Sequence, residues 1–245
     1  MNNIHNLGVC VLQVFRFELC KGCRRFHCGR VTLEIEGVTV VPDFISAEEE
    51  DQLVDGIDQI PWVPSQSGRY KQDFGPKVNF KKKKVRCGTF NGLPEFTRWL
   101  VERLRTVNPL ADFRPVELCH LDYSPARGAA IDPHLDDFWL WGDRLVTVNL
   151  LGDTVLTLTP VSDTTPALNP RPCSSIIEAD VPMPRRSLVI ISGEARSQWY
   201  HGIHRANITS RRLAMTFREL SRVFSEGGPE ENVGNLLLEK ARNYF

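Results

Sequence analysis

The sequence carries no excess of either charge: 30 Lys and Arg residues balance 30 Asp and Glu residues. A generic polyanion-binding protein is strongly basic, so any contact with nucleic acid would have to use a local patch. No apolar run reaches the roughly 20 residues that a membrane-spanning helix needs, and no membrane partner is expected. Residues 1–10 lack the basic segment of a signal peptide, and the apolar stretch 7–15 is not followed by a small-residue cleavage site. Internal repeats are absent. The seven cysteines are odd in number, so they cannot all pair within the chain. Together these features predict an intracellular protein, cytoplasmic and nuclear, with reduced thiols. What is present is ordinary for a globular domain. Hydrophobic residues make up 42% and charged residues 24% of 245, enough for a sizeable core and too apolar for a disordered chain.

Four cysteines come early, at Cys10, Cys20, Cys23 and Cys28. Cys20-x-x-Cys23 with His27 and Cys28 offers thiolate and imidazole, which suit zinc, although a second paired knuckle is missing. The alternative is a reduced, partly disordered tail. Residues 1–30 are therefore set apart from a main domain over 31–245. Residues 31–41 alternate as a strand does. Ser46 with Glu49 makes a capping box, which predicts a helix to about residue 60. Residues 43–58 hold seven acidic residues and no basic one, whereas 69–86 hold eight basic residues and one acid, Asp73. The neutral total thus hides an acidic stretch beside a basic one. A second amphipathic helix is expected over 94–107, with Phe96, Leu100 and Leu104 on one face. Short β-branched or alternating runs at 116–123, 144–151, 154–159, 187–192 and 211–220 predict strands. The stretch 160–186 holds six prolines and predicts an irregular inserted loop. A terminal helix is expected over 229–245. Early helices and many short late strands predict a mainly β fold, a sandwich or barrel with helices covering one side.

His134-Leu-Asp136, on a strand, would put an imidazole and a carboxylate on one face. A surface His/Asp pair is the bland alternative. A metal site needs a further ligand, and only His201 and His204 lie downstream. Two histidines and one carboxylate leave three coordination positions open for a bidentate co-substrate and dioxygen, as in non-heme iron(II) oxygenases. Arg212 and Arg218 are six apart, so a strand carries both on one face, with Leu213, Met215 and Phe217 on the other. Two guanidinium groups aimed at one pocket suit a dicarboxylate. The alternative is a pair of surface arginines in salt bridges. Tyr70, Phe74 and Phe80 interleave with the basic run. Such aromatics can stack on a flipped base or enclose a methylammonium, unless the run is merely a solvated face.

His-x-Asp, then a distant His, then Arg-x5-Arg is the linear order of 2-oxoglutarate-dependent dioxygenases. Asp122-Tyr-Ser-Pro125, His134-Leu-Asp136, Ser192-Gly-Glu-Ala-Arg196, Tyr200-His-Gly-Ile203 and Arg212-Leu-Ala-Met-Thr-Phe-Arg218 resemble the core of AlkB-type dioxygenases. The stretches 65–80 and 131–141 resemble the homologue 4 group in particular, and the resemblance covers roughly residues 38–220. It implies a double-stranded β-helix, or jelly roll, in which His134, Asp136 and His201 hold Fe(II), with 2-oxoglutarate and O2 as co-substrates. His201 is implied over His204 because the family's distal ligand is the His of a His-Gly-Ile segment. Arg212 would grip the distal carboxylate of 2-oxoglutarate, Arg218 would lie near its other end, and Tyr123 would offer its hydroxyl. The broader family often has Asn two residues before that Tyr. Leu121 stands there in this chain, and His120 would face the other way. Arg69, Tyr70, Lys71, Phe74 and Phe138 would meet the substrate. The implied reaction is oxidative N-demethylation, releasing formaldehyde, succinate and carbon dioxide, most directly from methylated lysine in a protein such as actin. One alternative is N6-methyladenine in DNA, met through the basic segment 69–86. Another is a non-catalytic binding module that uses that segment alone.

Overall fold

The computed structural model describes residues 13–19, 26–32, 35–161 and 178–245. Strands β1 (Gln13–Leu19) and β2 (Phe26–Thr32) pair as an antiparallel hairpin. The candidate zinc ligands Cys20 and Cys23 lie outside the described residues. The single strand expected over 31–41 is broken by a turn at Gly37, and β3 is only Val38–Val41. Gly37 has φ +93°, and a Cβ there would sit 1.9 Å from the carbonyl oxygen of Ser192, so both backbone angle and space require glycine.

The capping box forms as expected. The Ser46 side chain accepts from the Glu49 N–H, the Glu49 carboxylate accepts from the Ser46 N–H, and helix α1 (Ala47–Asp58) follows. Next come β4 (Val63–Pro64), β5 (Tyr70–Phe74) and a small hairpin of β6 (Lys77–Asn79) and β7 (Lys84–Arg86). The helix expected over 94–107 is shorter. A 3-10 turn at Glu95–Thr97 precedes helix α2 (Arg98–Leu104). Pro109 lies just beyond, and the residue before a proline is disfavoured in helical backbone.

The remaining strands are β8 (Pro115–Tyr123), β9 (Ile131–His134), β10 (Trp141–Leu151), β11 (Thr154–Pro160), β12 (Ala179–Met183) and β13 (Ser187–Ile191). Helix α3 (Gly193–Ser197), β14 (Trp199–Ile203), β15 (Arg212–Leu220) and α4 (Glu231–Ala241) complete the chain. Strand β12 corrects the expectation of an irregular 160–186: despite Pro182, its residues pair with β11 as an edge strand, where a missing N–H is tolerated.

The strands form two facing sheets. The major sheet runs β3-β13-β10-β15-β8-β5-β4 and the minor one β12-β11-β14-β9, all pairs being antiparallel. Leu213, Met215 and Phe217 of β15 pack with Leu53 and Ile57 of α1, Leu100 and Leu104 of α2, and Leu237 of α4. Each such fully buried side chain stabilises the fold by about 1.5–3 kcal/mol. The opposite face of the major sheet, with Tyr123, Val189 and Ile191, packs on Leu158, Val181 and Ile203 of the minor sheet. This is the jelly roll the resemblance implied, with helices on its outer face.

Candidate active site

Strands β9 and β14 bring the first two ligands together by direct pairing. His134 and His201 are opposite one another, with ring centres 4.4 Å apart. Gly202 makes this approach feasible, since a Cβ there would lie 2.9 Å from the Ile131 carbonyl oxygen. Asp136 arrives by another route. Strand β9 ends at His134, so the same-face rule for residues i and i+2 does not place it. Arg196 does. Its fully buried guanidinium donates from Nη1 to the Asp136 carbonyl (3.0 Å) and from Nη2 to the Asp137 carbonyl (3.1 Å), and lies 4.1 Å from the Phe138 ring centre.

The Oδ1 atom of Asp136 sits 3.3 Å from His134 Nε2 and 4.0 Å from His201 Nε2. One ligand atom from each of the three residues lies within 4.8 Å of the others. His134 Nδ1 is 2.9 Å from the Asp132 carbonyl oxygen. Only a protonated Nδ1 can donate there, which leaves Nε2 to face the cluster, as an N–H donating to Asp136 or, once that proton is lost, as a lone pair for a metal. The hydrogen bond to Asp136 raises the His134 pKa against the pull of burial. Burial lowers that of His201 to about 4. Burial disfavours an ionised Asp136, yet the neighbouring Arg218, His134 and His201 hold it well below the usual carboxylate range. At neutral pH the cluster is therefore an anionic oxygen with His201 neutral, a donor set that fits a divalent iron. His204 is not part of it. It is exposed, with Glu178 3.7 Å away.

Arg212 and Arg218 lie on one face of β15, as their spacing predicts, but their surroundings differ. Arg212 is opposite Tyr123 of β8, and its guanidinium carbon is 4.5 Å from the Tyr123 ring centre. It is 2% exposed, and burial lowers its pKa. Its Nε donates to Asn149 Oδ1 (2.8 Å). Its Nη1 and the Tyr123 hydroxyl are both buried without a hydrogen-bond partner among the described residues. A buried cation and a buried hydroxyl left unpaired are costly. A carboxylate between them would satisfy both, so these residues fit one end of 2-oxoglutarate. Arg218 instead donates from Nε to Asp136 Oδ2 (2.6 Å) and from Nη1 to Glu117 Oε2 (2.5 Å). It belongs to the His-Asp-His cluster through Asp136.

The residues expected to meet substrate divide. In β5, Lys71 and Asp73 form an ion pair, and Asp73 Oδ1 accepts from the Cys119 thiol (3.2 Å), which places them on the inner face with Glu117 and Arg218. Tyr70 and Phe74 point the other way, a correction that follows from strand alternation. Tyr70 stacks under the Arg127 guanidinium (4.2 Å). Phe74 packs into the helix-facing core, 5.2 Å from the His120 ring. Arg69 is held by its own turn, Nε donating to the Gln66 carbonyl. Phe138 stays at the mouth, 49% exposed. The basic run is an ordered hairpin. Asn79 Oδ1 accepts from the Lys82 N–H, Lys83 takes a left-handed backbone at φ +45°, and Lys81–84 are exposed. The hairpin reaches the site through Phe80, which meets Trp141 edge-on at 6.4 Å, Trp141 in turn lying 5.8 Å from the Arg218 guanidinium.

Sequence reasoning missed Asn149, Glu117 and the role of Arg196. Leu121 packs on the inner core where an Asn was looked for, and the amide comes from Asn149 of β10 instead, its Nδ2 held by the carbonyls of Gly152, Met183 and Pro184. Only Glu117 had a readable signal. It shares the period-two face of β8 with Tyr123.

No protein-family model matches the chain. The Mus musculus protein "Alpha-ketoglutarate-dependent dioxygenase alkB homolog 4" is 46% identical over 227 residues, covering 85% of this chain and 75% of that one. The Homo sapiens protein of the same name is 46% identical over 226 residues with the same coverage. A Caenorhabditis elegans protein named "DNA N6-methyl adenine demethylase" is 41% identical over 199 residues, covering 80% of this chain and 64% of that one. Among solved structures, that of OsALKBH1 superposes with a TM-score of 0.54 at 12% identity, covering 77% of this chain and all of the other, and so shares the fold. Identity of 46% across most of both chains, on a jelly roll with a His-Asp-His cluster and a buried arginine lacking an anion, makes this chain a member of the alkB homolog 4 family of alpha-ketoglutarate-dependent dioxygenases.

Proposed function

We propose that the chain is an oxidative N-demethylase in which His134, Asp136 and His201 hold iron(II) and Arg212 and Tyr123 hold 2-oxoglutarate. The carrying observation is the pairing of two needs on the inner faces of the sheets. A His-Asp-His cluster has one anionic oxygen, and on the adjacent strands β15 and β8 the Arg212 Nη1 and the Tyr123 hydroxyl are buried without a hydrogen-bond partner among the described residues. Iron(II) bound there, with 2-oxoglutarate and dioxygen, supplies the oxidising chemistry for a C–H bond of an N-methyl group. The chain's own residues do the holding. His134 offers Nε2 because Asp132 keeps its proton on Nδ1. Asp136 stays ionised because Arg218 neutralises its second oxygen. Arg212 donates from Nη1 and Tyr123 from its hydroxyl to one carboxylate, and the two packed sheets keep water from that end.

On the substrate side, methylated lysine in a protein, actin being the partner the resemblance implies, is the favoured reading. The exposed lysines beside Phe80, Trp141 and Phe138 support it, since they suit an acidic protein surface whose methylammonium enters among aromatics. The name of the Caenorhabditis elegans relative supports a second reading, N6-methyladenine in DNA. An anaerobic titration with iron(II) and 2-oxoglutarate tests the site. Asp136→Ala should lose metal binding, and His201→Ala should be far more damaging than His204→Ala. The reverse order of the two histidines would reassign the distal ligand. Mass spectrometry of methylated lysine peptides and N6-methyladenine oligonucleotides then separates the substrates by which one loses a CH2 per methyl removed.

A further inference from the structure

We propose that Glu117 is a positioning residue for the metal site: through Arg218 it keeps one oxygen of Asp136 free for the ion. The inference rests on the reading of His134, Asp136 and His201 as the metal ligands, and goes beyond it to a residue that touches none of them. Glu117 and Arg218 are direct cross-strand partners on β8 and β15. Asp136 comes from the far side, from the loop after β9. Arg218 therefore spans from the major sheet to that loop, with a carboxylate at each end.

A guanidinium left with one carboxylate pairs with it as a fork, taking both oxygens. That is not what is seen. Only Oδ2 of Asp136 accepts from Arg218, through Nε at 2.6 Å, while Oδ1 faces the two histidine Nε2 atoms. The opposite end of the guanidinium is held at 2.5 Å by Glu117, which fixes its tilt. Both partners are largely withdrawn from water, with side-chain exposures of 19% for Arg218 and 16% for Glu117. Without an acceptor at position 117, the guanidinium would have only Asp136 to receive its N–H groups, and would turn to take both of its oxygens.

The test is a metal titration of the full chain with manganese(II), which needs no reaction, together with the absorption spectrum of the cobalt(II)-saturated protein. Glu117→Ala should bind manganese(II) about 10-fold to 100-fold more weakly, the usual scale for an outer partner of a metal ligand. Glu117→Gln, whose carbonyl can still accept from Nη1, should recover most of that loss. The cobalt(II) bands should change in Glu117→Ala, because an Asp136 gripped by both oxygens coordinates differently, and should be near normal in Glu117→Gln. General loosening of the fold would lower affinity and leave the saturated spectrum alone, so weak binding with an unchanged spectrum overturns the proposal. Manganese(II) binding within twofold of the parent protein in Glu117→Ala also overturns it. Should Glu117→Ala not fold, Glu117→Asp carries the same expectations, since it keeps the charge but falls one carbon short of Nη1. If Asp136→Ala binds manganese(II) normally, the metal reading fails and this inference falls with it. If Asp136→Ala is deficient and Glu117→Ala is not, only the inference fails.

Discussion

Arg212 and Arg218 show how much chemistry a side chain takes from its neighbours. They are six residues apart on one face of one strand, and the sequence treats them alike. One has two carboxylates and the other has none. Arg212→Lys keeps the charge but loses the fork, so 2-oxoglutarate affinity should drop by about 1.5–3 kcal/mol in a direct titration. An unchanged affinity would remove Arg212 from the co-substrate site. His120 makes the opposite case, a polar residue on the structural face. Its Nδ1 pairs with Gln72 Oε1 at 2.7 Å, and Gln72 Nε2 donates to the carbonyls of Ile57 and Ile60 at the end of α1. Burial lowers its pKa to about 3, against 6.5 for an ordinary histidine. Between those values the unfolded chain binds a proton that the folded chain refuses. Stability should therefore be full above pH 6.5 and fall toward pH 3, by up to about 1.4 kcal/mol per pH unit. Urea unfolding at pH 7 and pH 5 measures this, and His120→Gln should show a shallower decline. That His134, Asp136 and His201 come together was legible because their order along the chain is distinctive. Asn149 was not, and Glu117 showed only the period-two face it shares with Tyr123, because no local pattern marks a residue that acts through another.

Among the elements, those with a local signal were read well and those defined by pairing were not. The capping box at Ser46 is self-contained, and α1 begins where it says. Ser46→Ala should cost about 1 kcal/mol, seen as a lower midpoint in thermal unfolding, with the rest of the fold unaltered. An unchanged midpoint would mean that Glu49, which also pairs with Arg103, holds the helix end alone. Strand β12 alternates, with Ala179, Val181 and Met183 buried, but it is short and carries Pro182. It exists because β11 offers it a partner, a fact that appears only in three dimensions. Tyr70 and Phe74 differ from expectation for a related reason: they share the face of Gln72, which β5 turns toward the helices, while Lys71 and Asp73 take the inner face, and a run of mixed aromatic and charged residues does not say which side meets the site.

For the molecule as a whole, zero net charge conceals an uneven distribution. Three of the six acids of α1 are answered within the fold: Glu49 by Arg103, the fully buried Glu50 by Arg185, and Asp58 by Arg211. Lys81–84 have no ion-pair partner among the described residues and stand exposed on the hairpin at the mouth. The surface field near the site is thus more positive than the total suggests. If the proposed acidic macromolecule is the substrate, neutralising all four lysines should weaken its binding and flatten the salt dependence between low and physiological ionic strength. Binding that keeps its strength and its salt slope would make the hairpin a solvated face and leave recognition to Phe138 and Trp141.

Strand β8 serves two masters on alternate residues. Tyr123 and Glu117 face the chemistry, while Val116, Leu118 and His120 face the helices. A slip of one residue against β15 would exchange the two sets, driving a carboxylate toward Leu100 and Leu104 and leaving leucine beside Arg218. Such a chain would lose its core together with its site. Folding therefore acts as its own inspection: a molecule whose central strands are mispaired is discarded as unstable before it can persist as a silent impostor. Loss of catalysis in a folded molecule supplied with its co-substrates and metal then points to exchanged side chains, and the soluble yield of the unaltered sequence becomes a count of aligned sites.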